Sequence, residues 1–406
     1  MKRRLTIFLL LIGFVAMNAV AFFHAWRFTH FSNEPGLHSP NPEQLSPSRK
    51  LWLLLTGIRN PKPQNGPKPS FPVETVSIAS PNGALEAWYA RPDSARARGT
   101  VALFHGYTSS KSHLTHEAGY FRRLGYNVLL VDQTGNGNST GFQTTVGYRE
   151  ADDMAAAMRW LQDSTNVSLG SPSPRERKLG GKVRESEGEV ILYGVSMGAV
   201  AILRAEAELG VRPSANILEC PYGNMRQTAY NRFESMHIPA FPMADLLVFW
   251  GGLQNDFWAY GLNAEHYATQ IHTPTLLLWG TTDPRVTRAE TDTIFAHLAG
   301  PKARHDFHGV GPRAVLETLS SGLGAAGAGV SEAIKLIAQV PLVRPYTSAT
   351  PATGNGRDIL QRFSGQYTPR RDAPLRVSRT APLPSDRSTP RREGSRLYTR
   401  LAKRIH

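Results

Sequence analysis

A single cysteine, Cys220, stands in 406 residues, so no intrachain disulfide is available to this chain. A lone thiol of this kind is ordinarily a small buried apolar residue and says little about compartment. No set of Cys and His has zinc-ligand spacing, and no glycine-rich loop stands in the strand-to-helix context that cradles a phosphate; "GNGNSTG" lies outside it. No metal and no organic cofactor are therefore expected. Internal repeats are absent too. Acidic residues are in deficit, giving a formal net charge of +14, but the excess is local. Residues 341–406 hold 14 Lys and Arg against 4 Asp and Glu, which leaves the rest of the chain nearly balanced. A basic nucleic-acid surface on the folded part is excluded on that count, and no nucleic-acid partner is expected.

Long apolar runs are scarce, with one exception. After "MKRR" come 19 uncharged residues, Leu5 to Phe23, long enough to cross a bilayer. The charges at positions 2–4 against a single following Arg27 orient such a span with the N-terminus cytoplasmic and the remainder outside. The alternative is a signal peptide cleaved near "AVA" (19–21), which would release a secreted protein. The apolar run continues through Phe22 and Phe23 past that site, so residues 1–27 read as an uncleaved transmembrane anchor.

Residues 28–70 are rich in Pro, Ser and Asn around the apolar "KLWLLLTGI", the pattern of a linker holding a short docking helix. From Phe71 the text changes. "VETVSIASPNGALEAWYARP" alternates about Asn82-Gly83, a hairpin signal. "GTVALFHGY", "GYNVLLVDQTGNG", "GEVILYG", "ANILECPYG" and "TPTLLLWGTTDPRV" are short apolar runs suited to strands buried on both faces. Between them lie helical stretches such as 150–162, with Met154, Met158 and Leu161 on one face. Strands alternating with helices predict an α/β, mostly parallel, doubly wound sheet over 71–340, with chemistry at the strands' C-terminal ends. Two segments break the rhythm: a polar insertion at 164–188 and an aromatic, helical insertion at 222–272. Residues 341–406 have no apolar periodicity and read as a disordered basic tail.

The chemistry centres on "GVSMGA" (194–199). It fits G-x-S-x-G, follows the strand "EVILY" and opens the helix "AVAILRAEAEL". In that context the glycines permit a tight turn that exposes the Ser196 hydroxyl, and the Met197 N–H at the helix start can receive developing negative charge. An earlier strand ends in "FHGY", where Gly106 allows the Tyr107 N–H to face the same point. His105 reads as a satisfied histidine beneath that loop. Asp283, in a turn after "TPTLLLWG" and followed by Pro284, is held rigidly enough to orient a histidine. Glu219 is a second candidate for that acid.

The ordered set "LFHGYTSSKS", "GYNVLLVDQTGNGNSTG", "LYGVSMGAVAILRA", "ILECPYGNM" and "LLLWGTTDPRV" resembles the α/β-hydrolases. More narrowly it is similar to bacterial membrane-anchored hydrolases of the serine-aminopeptidase-like or lysophospholipase-like kind, over roughly residues 71–312. The resemblance implies that Ser196 is the nucleophile, that Tyr107 and Met197 supply the oxyanion N–H groups, and that Asp283 is the acid. Thr134 and Asn136 replace an arginine and a histidine that many relatives carry in that loop. A further departure matters more. The family's phrase "F-x-G-x-G-H" carries the base, and here it reads "FHGVGP", with Pro312 in the histidine's place.

His308 is the nearest substitute, about four residues early, a displacement of roughly 13 Å along an extended chain. Three readings stay open: His308 works as the base, the triad is incomplete, or a frame shift near codon 312 altered the terminus. The function expected is hydrolysis of carboxylic esters on a lipid-like or small acyl substrate, with the aromatics of the insertion, Trp250, Phe257 and Trp258 among them, lining an apolar lid. The rivals are a membrane-anchored binding protein that keeps the fold without the chemistry, and a peptidase or amidase.

Overall fold

The computed structural model describes residues 2–34, 36–37, 46–94, 97–168, 189–309 and 311. Pro312, the end of the domain expected over 71–340, the basic tail and most of the 164–188 insertion lie outside the described residues.

The N-terminal run forms α1 (Lys2–Thr29), followed by α2 (Pro47–Thr56), whose Ser46 caps its first turn. The domain then alternates: β1 (Glu74–Ser80), β2 (Gly83–Ala90), β3 (Thr100–Phe104), α3 (Thr115–Arg123), β4 (Asn127–Val131), α4 (Glu150–Ser168), β5 (Val190–Val195) and α5 (Met197–Leu209). After these come β6 (Ala215–Glu219), α6 (Met225–Ser235), α7 (Met243–Gln254), α8 (Ala264–Ala268), β7 (Thr275–Gly280), α9 (Arg288–His297) and β8 (Lys302–Phe307).

The strands make one sheet in the order β1-β2-β4-β3-β5-β6-β7-β8. The β1–β2 hairpin turns where Asn82-Gly83 predicts, pairing Ser80 with Gly83, and β2 runs antiparallel to β4. From β4 to β8 all pairs are parallel. The apolar runs give strands buried at every residue in β3, β6 and β7, as expected where helices cover both faces. Met154, Met158 and Leu161 of α4 all enter the core, and α4 packs on α5 and β1.

Strand order reverses between β3 and β5, which are neighbours in the sheet. A crevice forms at such a switch point, beyond the strands' C-terminal ends. The loops after β3 and β5 carry Tyr107 and Ser196, so topology alone brings these residues together.

Asp132 at the end of β4 anchors the loops around this crevice. It accepts hydrogen bonds from the Lys111 amide (2.8 Å), the Asn138 amide (3.0 Å) and Asn65 Nδ2 (2.6 Å), and pairs with the fully buried Lys111 ammonium. A Cβ on Gly137 would stand 2.0 Å from the Asp132 carboxylate, so only glycine fits there. Thr134 and Asn136 are also bonded locally: Thr134 donates to Asp153, and Asn136 Nδ2 donates to the Thr134 carbonyl at 3.0 Å. This loop is held by its own set of bonds.

Residues of the 28–70 linker bond to the domain. Lys62 donates to the Ser139 and Gly141 carbonyls, and the Asn60 amide donates to the Tyr107 hydroxyl. The polar side chains of a Pro/Asn-rich stretch satisfy the exposed ends of buried strands as readily as they bind water, which is why composition alone suggested a linker.

Candidate active site

Ser196 ends β5 and begins α5 with φ 50° and ψ −106°, a region a residue with a Cβ occupies only under constraint. The constraint is visible on both sides. The Ser196 amide donates to the Glu219 carbonyl at 2.8 Å, and its carbonyl accepts from Val200 at 3.0 Å. A Cβ on Gly194 would meet the Gly198 backbone at 2.6 Å, and one on Gly198 would meet the Phe104 carbonyl oxygen at 2.6 Å. Both glycines of G-x-S-x-G are therefore required by backbone contact. The turn that results leaves Ser196 partly exposed while Met197 and the next nine residues are buried.

Gly106 lies against this turn: a Cβ built on it would stand 3.7 Å from the Ser196 Cβ. Tyr107 follows Gly106 in the chain, and Met197 opens the 13-residue helix that begins at the serine, where the helix dipole favours negative charge. His105 is buried beneath, as expected of a satisfied histidine. Its Nε2 accepts from the Gln133 amide (3.1 Å), which leaves Nδ1–H to donate to the Gly106 carbonyl (2.9 Å). Burial lowers its pKa, so the neutral ring is the form that makes both bonds. The Tyr107 side chain points elsewhere: its hydroxyl donates to the Phe28 carbonyl (2.7 Å) and its ring stacks on Phe28 at 4.7 Å. Burial raises the phenol's pKa.

Asp283 sits in the turn after β7. Its Oδ1 accepts from the Arg285 amide (2.8 Å) and the Val286 amide (3.2 Å), and the Cys220 thiol bonds to the same carboxylate. Burial raises its pKa despite these donors. The Cys220 contact joins residues 63 apart and had no sequence signal beyond both standing just after a strand. Glu219, the alternative acid, is fully engaged with the Tyr193 hydroxyl, and burial pushes its pKa up to about 7.

His308 is exposed in the turn after β8, the edge strand. Three strand spacings separate β8 from β5, roughly 14 Å at the usual 4.8 Å. Among the described residues, neither the His308 ring nor the Ser196 hydroxyl has a hydrogen-bond partner. The turn itself leans toward the acid's loop, since the Gly309 amide donates to Thr281 Oγ1 at 3.0 Å. Gly106 and Met197 thus adjoin Ser196, Asp283 follows a strand two away in the sheet, and His308 follows the edge strand.

An apolar cavity of about 200 Å³ lies under the 222–272 insertion, between α6, α7 and the last turns of α1. Phe257 lines it and stacks on Tyr148 at 4.7 Å. Trp250 and Trp258, expected in the same lining, are not part of it. Trp250 packs on Phe22 of α1 and donates to Asn18 Oδ1 at 3.3 Å, while Trp258 is 57% exposed. Neighbours lead from the cavity toward the serine: Phe28 and Arg232 line it, both lie against the Tyr107 ring, and a Cβ on the preceding Gly106 would stand 3.7 Å from the Ser196 Cβ.

Comparison with known proteins agrees with this geometry. The model of the X-Pro dipeptidyl-peptidase (S15) family matches residues 84–248. Uncharacterized protein YqkD of Bacillus subtilis strain 168 is 26% identical over 206 residues, half of this chain and 61% of its own length. The match thus spans less than two thirds of that relative. An uncharacterized protein of Mycobacterium tuberculosis strain H37Rv is 24% identical over 260 residues, covering 61% of this chain and 77% of that one. The solved structure of the Pyrococcus furiosus esterase Pf2001 superposes with a TM-score of 0.51 at 21% identity, covering 68% of this chain and 96% of that one. With its sheet order and its strand–serine–helix turn, the chain is an α/β-hydrolase in fold.

Proposed function

We propose that this chain is a membrane-anchored serine hydrolase acting on carboxylic esters. One observation carries the reading: Ser196 is held in a strained conformation at a helix N-terminus, with Gly106 and the Tyr107 amide beside it. Strain of this kind persists where the surrounding structure enforces it, and it supports reading Ser196 as a nucleophile served by the Tyr107 and Met197 N–H groups. The S15 family match and the esterase neighbour in fold support the same class. In the reaction Ser196 Oγ attacks the ester carbonyl and its proton passes to the base. The Tyr107 and Met197 N–H groups hold the oxyanion, the alcohol leaves with a proton, and water clears the acyl-enzyme. Asp283 orients the base. That role falls to His308, which reaches the site when the turn after β8 folds over the Thr281–Asp283 loop. The cavity favours esters over amino-terminal peptide substrates, because its described lining holds no carboxylate to receive an ammonium group. The apolar run of α1 supports an anchor with the N-terminus cytoplasmic and the domain outside.

A second reading has its own observation. The exposed, unbonded His308 fits a binding protein that keeps the fold and the cavity without turnover. Fluorophosphonate labelling of the full chain separates the two, run beside Ser196→Ala, Asp283→Asn and His308→Ala. Labelling that vanishes in Ser196→Ala and falls in the other two is the result expected. A folded wild type that takes no label sinks the hydrolase.

A further inference from the structure

We propose that the cavity between α1 and the 222–272 insertion binds one acyl chain of a bilayer lipid, with the last two turns of the anchor helix as one of its walls. The inference rests on reading α1 as a membrane span and deepens the ester-hydrolase reading. Ala25 and Phe28 on α1 face Ala229 and Phe233 on α6 and Gly251 on α7 across the space. An apolar cavity of about 150 Å³ takes up benzene, so about 200 Å³ holds a segment of roughly eight carbons. Its described charged lining is Arg232 and Arg285 with no carboxylate, which suits a chain whose head bears a phosphate.

The source of the chain follows from how α1 is used. The apolar run Leu5–Phe23 is about 28 Å long, close to the hydrocarbon thickness of a bilayer. Its last part is not free to stand away from the domain. Asn18 bonds to Trp250, the Phe22 carbonyl accepts from Gln254 at 2.9 Å, and Phe22 meets Trp250 edge to face. The run spans the full thickness only when α7 itself enters the hydrocarbon boundary. The surface of this insertion suits that position: Phe241 is 73% exposed, Phe249 42% and Phe23 of α1 62%. A cavity walled by residues 24–29 of α1 and by α7 then opens just past the end of the apolar run, at the hydrocarbon–headgroup boundary, where an acyl chain enters sideways from the bilayer.

Gly251 supplies the test. It is buried, helical and part of the cavity wall, and a Cβ built on it meets nothing within 4 Å. A leucine there fills the cavity without displacing backbone. The full chain carrying Ser196→Ala, in nanodiscs containing a phosphatidylglycerol with a diazirine on one acyl chain, is illuminated and its adducts are mapped by mass spectrometry. Adducts mapped to single residues are expected on 5–23 and on the cavity residues Met225, Ala229, Phe233, Val248 and Phe257. Adding Gly251→Leu, or Ala229→Phe from the opposite wall, should cut the cavity adducts at least tenfold and leave those on 5–23 unchanged. Adducts confined to 5–23 and the exposed Phe241 and Phe249 overturn the proposal, as do cavity adducts indifferent to both substitutions. The parent map decides this without either variant. Cavity adducts with no fluorophosphonate labelling of the wild type leave the acyl site standing and remove the hydrolase. Labelling without cavity adducts does the reverse.

Discussion

The conformation of Ser196 implies a stability cost that substitution can expose. At φ 50° and ψ −106° a side chain with a Cβ stores about 1–3 kcal/mol. Glycine adopts this region freely, although its added freedom in the unfolded chain costs about 0.5–1 kcal/mol. Ser196→Gly should therefore raise stability by about 1 kcal/mol, or about 2–4 °C in Tm for a domain of this size. Ser196→Ala keeps the Cβ and with it the strain, so it should match the wild type within about 0.5 kcal/mol. Both variants lose the hydroxyl, and both keep the backbone bonds to Glu219 and Val200. The difference between them thus isolates the strain from the chemistry. Urea unfolding of the full chain in detergent, followed by tryptophan fluorescence, reads it as a shift in midpoint at constant slope. If Ser196→Gly proves no more stable than Ser196→Ala, the turn is not strained and the main support for an enforced nucleophile is gone.

The other predictions concern buried charge and the anchor. Lys111→Met leaves Asp132 without its buried ammonium partner and should cost about 3–5 kcal/mol, read as a fall in urea midpoint; a loss below about 1 kcal/mol would refute the pair's role. Burial lifts the Glu206 carboxyl to about 7 from an ordinary 4.5. The folded chain holds that proton more tightly, so the stability Glu206 contributes is full below pH 4.5 and is lost as pH rises to about 7. Relative to wild type, Glu206→Gln should therefore gain about 3 kcal/mol between pH 4.5 and pH 8; a gap that stays flat across this range contradicts the assignment. Phe28→Ala removes the ring that stacks on Tyr107 and should slow fluorophosphonate labelling of Ser196 roughly fivefold, about 1 kcal/mol in barrier. An unchanged rate would separate α1 from the oxyanion loop.

The strands were legible because a strand buried on both faces needs an unbroken apolar run, and "TVALF", "NVLLV", "ANILE" and "TLLLWG" are such runs. The serine turn was legible for a related reason: backbone contacts at Gly194 and Gly198 admit no other residue, so the motif is a steric record of the turn. The lid was not legible to the residue. Phe257 is 5% exposed and the next residue, Trp258, 57%, because a short irregular turn has no period from which an inside could be inferred. The docking of α1 left no trace either. Asn18 and Trp250 are ordinary in their own segments, and only a contact across 232 residues makes them a pair.

The position of the base is where topology and sequence press hardest on each other. Ser196 follows β5, Asp283 follows β7, and a histidine arriving after β8 must travel back across two strands. His308 is the first residue past β8, so its Cα starts roughly 14 Å from the serine strand, and a histidine side chain does not close such a gap alone. The chain beyond it runs the right way: Gly309 bonds to Thr281, and a Cβ on Gly311 would stand 3.8 Å from Thr282 Oγ1. Pro312, in the slot where the family's phrase carries its histidine, has no side-chain atom to accept a proton. With His308 as the base, Pro312→His should leave the fluorophosphonate labelling rate of Ser196 within about twofold, and a rise of about tenfold or more, the range a positioned general base supplies, would move that role to position 312. A rate that does not rise would mean that His308 already does the work and that the turn after β8 closes during reaction. In that case His308→Ala in the same background must abolish labelling, and the pair of results assigns the base whichever way the first one falls.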